Sequence, residues 1–413
     1  MVEIANPAAI GRRPAQHAGG ERSAVPGDAF APLTTVTAES WRQLAERAIE
    51  PNGYYLPGWE LAVNATAPGR TGAFALSAWS EVSPAPGSAA RLIGLLPAIS
   101  LWRACRIPLP ALVSADPYGT LGTPLLDRDM ACEAAMKLVR QARLSGAHAL
   151  ILRDAALDGA TVHAFTEVLR QDGLKPKRLR SLVRASLDAT GDAERVLRDG
   201  LGPKKMKELR RQRNRLAGHG AVVFQVARTP QQVAAAVEQF LALEASGWKG
   251  KAGTALLQHA GDASFVRRAT MALAASGQCE IVSLHAGNTP VAAAIVLRHQ
   301  DRAFYFKLGV DERFAKFSPG VQLTLDLTRH LCADPAIASA DSTATPDHPM
   351  INPIWRGRFA IGDVLIPLRR NDPAIWLIHA AMRLRSLVRA PARWAVRLIR
   401  NRRGKPPAAI PPT

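Results

Sequence analysis

The run Ser318-Pro319-Gly320 separates the apolar stretch AFYFKLGV from the amphipathic stretch VQLTLDLTRHL. A helix opening there leaves the backbone N–H groups of Gly320 and Val321 without intrahelical acceptors. Such groups take phosphate oxygens, aided by the helix dipole. The spacing matches neither GxGxxG nor GxxxxGK(S/T), and an ordinary Ser-Pro helix start fits the same letters. Downstream, Asp341 ends the apolar stretch AIASAD, and Asp347 and His348 follow in PDHPM. A carboxylate at a strand end can face a cleft and accept a proton, and an imidazole titrates near neutral pH. A chain-turning Asp341 and a solvated His348 are the plainer alternatives. Tyr305 and Lys307 alternate along the preceding strand and so should share one face, although an inward tyrosine is also simply core. Glu244 precedes GWKGKAG, where Gly247, Gly250 and Gly253 bound Trp248, Lys249 and Lys251. Spaced glycines suit a mobile loop over a substrate; the alternative is a tryptophan that caps the core.

These residues need elements to hold them. Helices are expected near Glu39, around Trp59 and over 130–145, 158–172, 203–217, 262–275 and 320–333, with another carrying Val233, Val237, Phe240 and Leu241. Strands are expected just before Glu39 and over 74–79, 91–99, 147–152, 179–187, 222–226, 280–285, 291–299, 303–310, 336–342 and 359–367, with a hairpin turn at Gly287-Asn288. Interspersed strands and helices give an α/β (α+β) class. The second half loosely repeats the order of the first, as a structural duplication would. The divisions are a disordered leader at 1–33, units at 34–190 and 191–370, and a basic tail at 371–413. In the first unit, Asp116, Tyr118 and Gly119 form a loop that either lines a cleft between the halves or simply turns the chain.

The chain has 413 residues and a formal charge of +19, with 47% hydrophobic residues, so it can bury a large core. The charge is local. Residues 175–184 carry five bases and no acid, 204–215 seven bases and one acid, and everything after Pro373 nine bases and no acid. The remainder is close to neutral, which excludes a uniformly basic, histone-like protein and favours local contacts with phosphate, CoA, RNA or anionic lipid. The 204–215 helix reads as a solvated face or an RNA contact, with no RNP-like strand beside it. The tail interleaves Trp376, Leu377, Leu384, Leu387 and Trp394 with arginines, a pattern that suits an anionic membrane surface through 373–405, or else a dimer contact or docking on the body. Four scattered cysteines and histidines without HxxxH or HxH spacing argue against disulfides and metal. A cytoplasmic protein is expected, peripheral at the inner membrane face.

The strand–SPG–helix segment, the Arg-rich stretch ending LAGHG (216–220), GWKGKAGTAL (247–256) and ADSTATPDHPMINPIWRG (340–357) together resemble the GNAT-type acyltransferases, in the CelD-like variant found beside cellulose and exopolysaccharide genes. The likeness covers about residues 193–370. It implies a tandem GNAT-like fold of two mixed-sheet units with flanking helices. It also implies acyl-CoA, acetyl-CoA in the first instance, as co-substrate, with no metal. Carried over, Ser318, Pro319, Gly320, Val321 and Gln322 would contact CoA, although the family's Q/RxxGxG/A signature is reduced here to SPG. Asp341 and His348 would serve as bases and Tyr305 as general acid, with Glu244, Trp248, Lys249, Lys307 and Asp347 around the acceptor. The implied reaction is direct attack of an amine or hydroxyl, on a cell-envelope or exopolysaccharide precursor, upon the thioester. Related peptidoglycan-bridge enzymes use aminoacyl-tRNA instead, and a non-catalytic membrane scaffold is the third reading.

Overall fold

The computed structural model describes residues 31–81, 90–385 and 387, without the side chains of Trp248 and Lys249. The expected leader up to residue 30, and the tail arginines from Arg389 onward with Trp394, lie outside the described residues.

The first half contributes helices α1 (Ala38–Glu46), α2 (Pro57–Thr66), α3 (Leu101–Cys105), α4 (Ala131–Leu144) and α5 (Ala160–Gln171). Its strands are β1 (Phe74–Trp79), β2 (Leu92–Ser100), β3 (Ala111–Ser114), β4 (Leu125–Leu126), β5 (Ala149–Ala156) and β6 (Lys177–Asp188). The second half contributes α6 (Ala193–Leu216), α7 (Pro230–Ser246), α8 (Trp248–Lys251), α9 (Ala260–Ala275), α10 (Pro319–Cys332) and α11 (Ile351–Ile354). Its strands are β7 (Val222–Ala227), β8 (Cys279–Ala286), β9 (Thr289–His299), β10 (Arg302–Val310), β11 (Ser339–Asp341) and β12 (Gly357–Pro367).

Local chemistry sets many of these boundaries. The α7 helix starts on a capping box from Thr229 to Gln232 with Pro230 at its first position. Gly287, at φ 58°, makes the tight β8–β9 turn. Gly202, at φ 72° and ψ 163°, followed by Pro203, breaks α6 into two segments. The strand expected before Glu39 is instead a 3-10 turn over Leu33–Thr35. Five short elements appear that the sequence pattern did not mark: α3, β3, β4, α8 and α11.

All strands join one twelve-stranded sheet in the order β1-β2-β3-β5-β12-β6-β11-β10-β9-β8-β7, with β4 beside β2. Each half contains a parallel pair joined through a helix: β3 and β5 through α4, and β10 and β11 through α10. Each pair is closed by an antiparallel strand from the other half. The late strand β12 closes β5, the early strand β6 closes β11, and β6 and β12 pair with each other. This is the expected duplication, with one strand exchanged in each direction.

Strand alternation divides the core into two faces. On β9, Ala293, Ile295 and Leu297 pack into the cluster shared with α7 and α9, while Ala292, Ala294 and Val296 pack toward α6, α10 and α11. A third cluster joins α3 to a helix over 373–385 through Ile375 and Ile378, and Arg385 donates to the Cys105 carbonyl at 2.6 Å. The start of the basic tail therefore docks on the body, while Trp376, Leu377, Leu384 and Leu387 remain exposed. Among the described residues no helix is long and apolar enough to cross a membrane.

Candidate functional site

Strands β10 and β11 pair in parallel only at Arg302–Ser339, Ala303–Ala340 and Phe304–Asp341. There β11 ends while β10 continues to Val310, so one edge of β10 loses its partner. A cavity of about 340 Å³ fills the gap, lined on one side by Tyr305–Leu308 and Val310, and on the other by Ser342–Ala344, His348, Met350 and Ile351. On its other edge β10 stays paired with β9 but carries a bulge, with Tyr305 opposite Val296, Lys307 opposite Ile295 and Phe306 as the extra residue.

The bulge corrects one expectation. Tyr305 and Lys307 do not share a face. The Tyr305 ring packs toward α10, with its hydroxyl 3.2 Å from Thr324 Oγ1, and burial pushes its pKa up to about 12. Thr324 Oγ1 in turn donates to the Gly320 carbonyl, so the phenol proton is directed at Thr324. Lys307 turns to the opposite side with Phe306. Its ammonium lies 3.7 Å from Glu244 Oε1 and over the rings of Tyr118 and Phe306 at 5.4 and 5.6 Å. Glu244 is buried at the end of α7, where its Oε2 accepts from the Leu256 N–H at 2.9 Å. Gly309 allows that approach, because a Cβ there would stand 2.8 Å from the Glu244 nitrogen.

Asp341 sits outside the cavity lining. It is 1% exposed, one oxygen accepts from the Thr343 N–H at 2.9 Å, and the other is ion-paired with the equally buried Arg184 of β6. Arg184 also donates to the carbonyl and hydroxyl of Thr120, both at 2.7 Å, and so ties the two halves together beneath the site. His348 does line the cavity, and burial lowers its pKa. Its Nδ1 accepts from the Met350 and Ile351 N–H groups at 3.3 and 3.5 Å, which leaves the proton of the neutral ring on Nε2. Asp347 is exposed and in the left-handed region at φ 57°.

The helix α10 opens at Pro319 after Ser318, which is itself left-handed at φ 53°. Gly320 is packed so closely under β10 that a Cβ would meet Leu308 and Val310 at 3.0 and 3.1 Å. Val321 reaches the surface, whereas the Gln322 amide turns inward and donates to the Leu209 carbonyl at 2.8 Å. That side chain therefore joins α10 to α6 and does not face a ligand. With Arg213 paired to Asp326 and His219 against Phe314 and Phe317, the basic helix α6 lies along the first turns of α10. Trp248 and Lys249 lie in α8, and their side chains are outside the described residues.

The sequence reading did not pick out Arg184, Thr343 or Met350. Thr343 is a β-branched residue at φ 49°, and its hydroxyl donates to the Tyr305 carbonyl at 2.6 Å. Strain of this kind collects at functional sites. Among the described residues, Thr343 in the cavity lining, Asp347 next to His348 and Tyr118 beneath Lys307 all have positive φ. No group of histidine, cysteine, aspartate or glutamate residues suited to a metal ion occurs among the described residues.

Residues 203–345 match the family described as acetyltransferase (GNAT) domain. That span runs from the second segment of α6 to the loop that lines the cavity. No curated protein matches the sequence. Among solved structures, FemX is similar at 11% identity with a TM-score of 0.54, over 83% of this chain and 98% of its own. The C-terminal domain of a putative lysylphosphatidylglycerol synthetase from Agrobacterium fabrum gives 13% identity and a TM-score of 0.49, over 83% and 95%. A tandem GNAT protein of the clavulanic acid biosynthesis pathway gives 14% and 0.38, over 83% and 99%. The FemX likeness is one of fold: a mixed α/β architecture of two GNAT-like halves.

Proposed function

We propose that the protein is an acyltransferase that holds an acyl-CoA thioester between β10 and β11 and passes the acyl group to an amine or hydroxyl. The observation that carries this reading is the parallel pair that parts after Phe304–Asp341 around a cavity, inside the GNAT-matching segment. Backbone groups on the freed edge of β10 suit an extended pantetheine arm, which would replace the missing strand. The N–H groups of Gly320 and Val321 would take pyrophosphate oxygens at the start of α10, with Ser318 and Pro319 setting the turn. The bases of α6 add positive potential along the same helix.

In the transfer the acceptor's nitrogen or oxygen attacks the thioester carbonyl. The new bond forms, the C–S pair leaves on sulfur, the acceptor's proton passes to a base, and the thiolate takes up a proton. Glu244 is our choice of base, because its buried carboxylate lies 3.7 Å from Lys307, which lines the cleft. Asp341 is held by Arg184, and His348 presents a donor at Nε2. Tyr305 is a positioning residue, since its hydroxyl is committed to Thr324. An acetyl group as cargo, and a cell-envelope or exopolysaccharide precursor as acceptor, follow from the CelD-like resemblance.

One observation favours a second donor. Lys204, Lys207, Arg210, Arg211 and Arg215 are exposed on α6 without a hydrogen-bonded or ionic partner among the described residues, as a docked aminoacyl-tRNA would require. Thermal unfolding separates the two. A rise in melting temperature with acetyl-CoA supports the first reading, and no shift at millimolar ligand overturns it. Salt-sensitive tRNA binding lost on neutralising Lys204, Lys205 and Lys207 supports the second. For the tail, exposed Trp376, Leu377, Leu384 and Leu387 beside Arg383 and Arg385 suit an anionic membrane surface.

A further inference from the structure

The duplication places a second cavity where the first half has its own parting strands. The β3–β5 pairing ends at Val113–Ile151, and just beyond it lies a cavity of about 310 Å³. Its walls are the loop 115–120 with Gly122, together with Arg70, Arg153 and Asp154. The loop is the Asp116–Gly119 segment that the sequence left open between cleft and turn. Here it faces the other half. Thr120 Oγ1 donates to the Thr343 carbonyl at 3.3 Å, and Lys307 lies over the Tyr118 ring. Thr343 and Lys307 also line the first cavity, so the two cavities meet at this wall.

The charges of the second cavity are matched, with one exception. Asp116 pairs with Arg70 at 3.2 Å, and Asp154 pairs with Arg180, which also binds Asp363 at 3.1 Å. Arg153 is half-buried in the wall, and its guanidinium makes no hydrogen bond or salt bridge among the described residues, although its charge acts on the neighbouring Asp154. Its backbone is fixed: the N–H donates to Ser114 Oγ at 2.8 Å, and Gly122 packs so tightly that a Cβ would stand 2.3 Å from the Arg153 carbonyl. A half-buried, held and unpaired guanidinium offers a fork of donors suited to a carboxylate or phosphate.

We propose that this second cavity is the acceptor site, and that Arg153 anchors an anionic group, carboxylate or phosphate, on an amine-bearing acceptor. The proposal rests on the acyltransfer reading for the word acceptor. The volume suits a small molecule or the end group of a larger one. Anchored at Arg153, the amine would extend past Tyr118 toward Lys307, which lines the first cavity and lies beside the buried Glu244.

The test uses the full-length protein with glycine, phosphoethanolamine, methylamine and ethanolamine as probes, followed by ligand-detected NMR, and acetyl-CoA by calorimetry. Glycine or phosphoethanolamine should bind, and methylamine and ethanolamine, which lack the anion, should not compete. Arg153→Gln should weaken the bound probe by about tenfold or more, the loss of one charge-assisted pair, and Arg153→Lys should restore part of it. Acetyl-CoA affinity should be equal in all three proteins. The stronger of the two anionic probes identifies the group as carboxylate or phosphate. If neither anionic probe binds better than its amine counterpart, or if Arg153→Gln binds as well as wild type, the acceptor site is wrongly placed. Failure of acetyl-CoA to bind wild type overturns the acyltransfer reading while leaving the Arg153 result standing on its own.

Discussion

Replacing Asp341 with asparagine separates a structural carboxylate from a catalytic one. Asp341 and Arg184 are each 1% exposed and ion-paired, and the remaining Arg184 hydrogen bonds go to the carbonyl and hydroxyl of Thr120, with its guanidinium over the Phe359 ring. Asparagine keeps the shape but leaves the guanidinium buried without a counter-charge, a loss of about 3–5 kcal/mol when a buried pair is broken on one side. With an unfolding entropy of about 2.1 cal/mol/K per residue over this chain length, the melting temperature should fall by about 3–6 °C. The double variant Arg184→Met/Asp341→Leu removes both charges and should be more stable than Asp341→Asn alone, because the stranded charge is gone. Scanning calorimetry of wild type, single and double variants reads this directly. An Asp341→Asn melting temperature within about 1 °C of wild type, on the same entropy scale, would refute the reasoning, as would a double variant less stable than the single.

Other consequences can be checked alongside. His299 is buried, accepts from the Asn52 N–H at 2.8 Å, lies 2.9 Å from the Ala45 carbonyl, and burial depresses its pKa to about 4. A histidine held neutral stabilises the fold fully above its unfolded pKa near 6.5. That contribution, about 3 kcal/mol, is lost as pH falls from there through 4, so His299→Gln should melt lower at pH 7 yet show a flatter acid limb in thermal scans. Gly119→Ala should cost about 1–3 kcal/mol by chemical denaturation, because its Cβ would stand 2.3 Å from the Tyr54 ring, itself wedged among Trp59, Phe304 and Phe306. Trp376→Ser/Leu377→Ser should weaken co-sedimentation with phosphatidylglycerol vesicles and leave the melting temperature unchanged, since both side chains are exposed.

Most elements were legible because their signals are local. The largely apolar run Phe74–Trp79, the Gly287-Asn288 turn and the Ser-Pro start of α10 each carry their own local signal. The strand β3 escaped notice because Pro108 and Pro110 crowd a four-residue element, and α3 because it is barely longer than a turn. The exchange of β6 and β12 has no local signal, since nothing in either strand specifies which neighbour it will meet. The same limit explains the site. Tyr305, Lys307 and His348 were found by type and position, and they do gather around one cavity. The bulge at Phe306, which turns Lys307 away from Tyr305, depends on the pairing with β9. Arg184 was hidden inside a basic run in which only its burial sets it apart, and that burial is set by Thr120 and Asp341, 64 and 157 residues away in the chain.

The central claim is that an acyl-CoA thioester occupies the space between β10 and β11, and filling that space tests it most directly. Ala344 lines the cavity and is half-exposed, so a tryptophan there can occupy the pantetheine path without entering the core. Calorimetric titration with acetyl-CoA should give saturable binding to wild type and none to Ala344→Trp, with the two proteins melting alike. Undiminished binding to Ala344→Trp, or no binding to wild type at millimolar acetyl-CoA, would contradict the account.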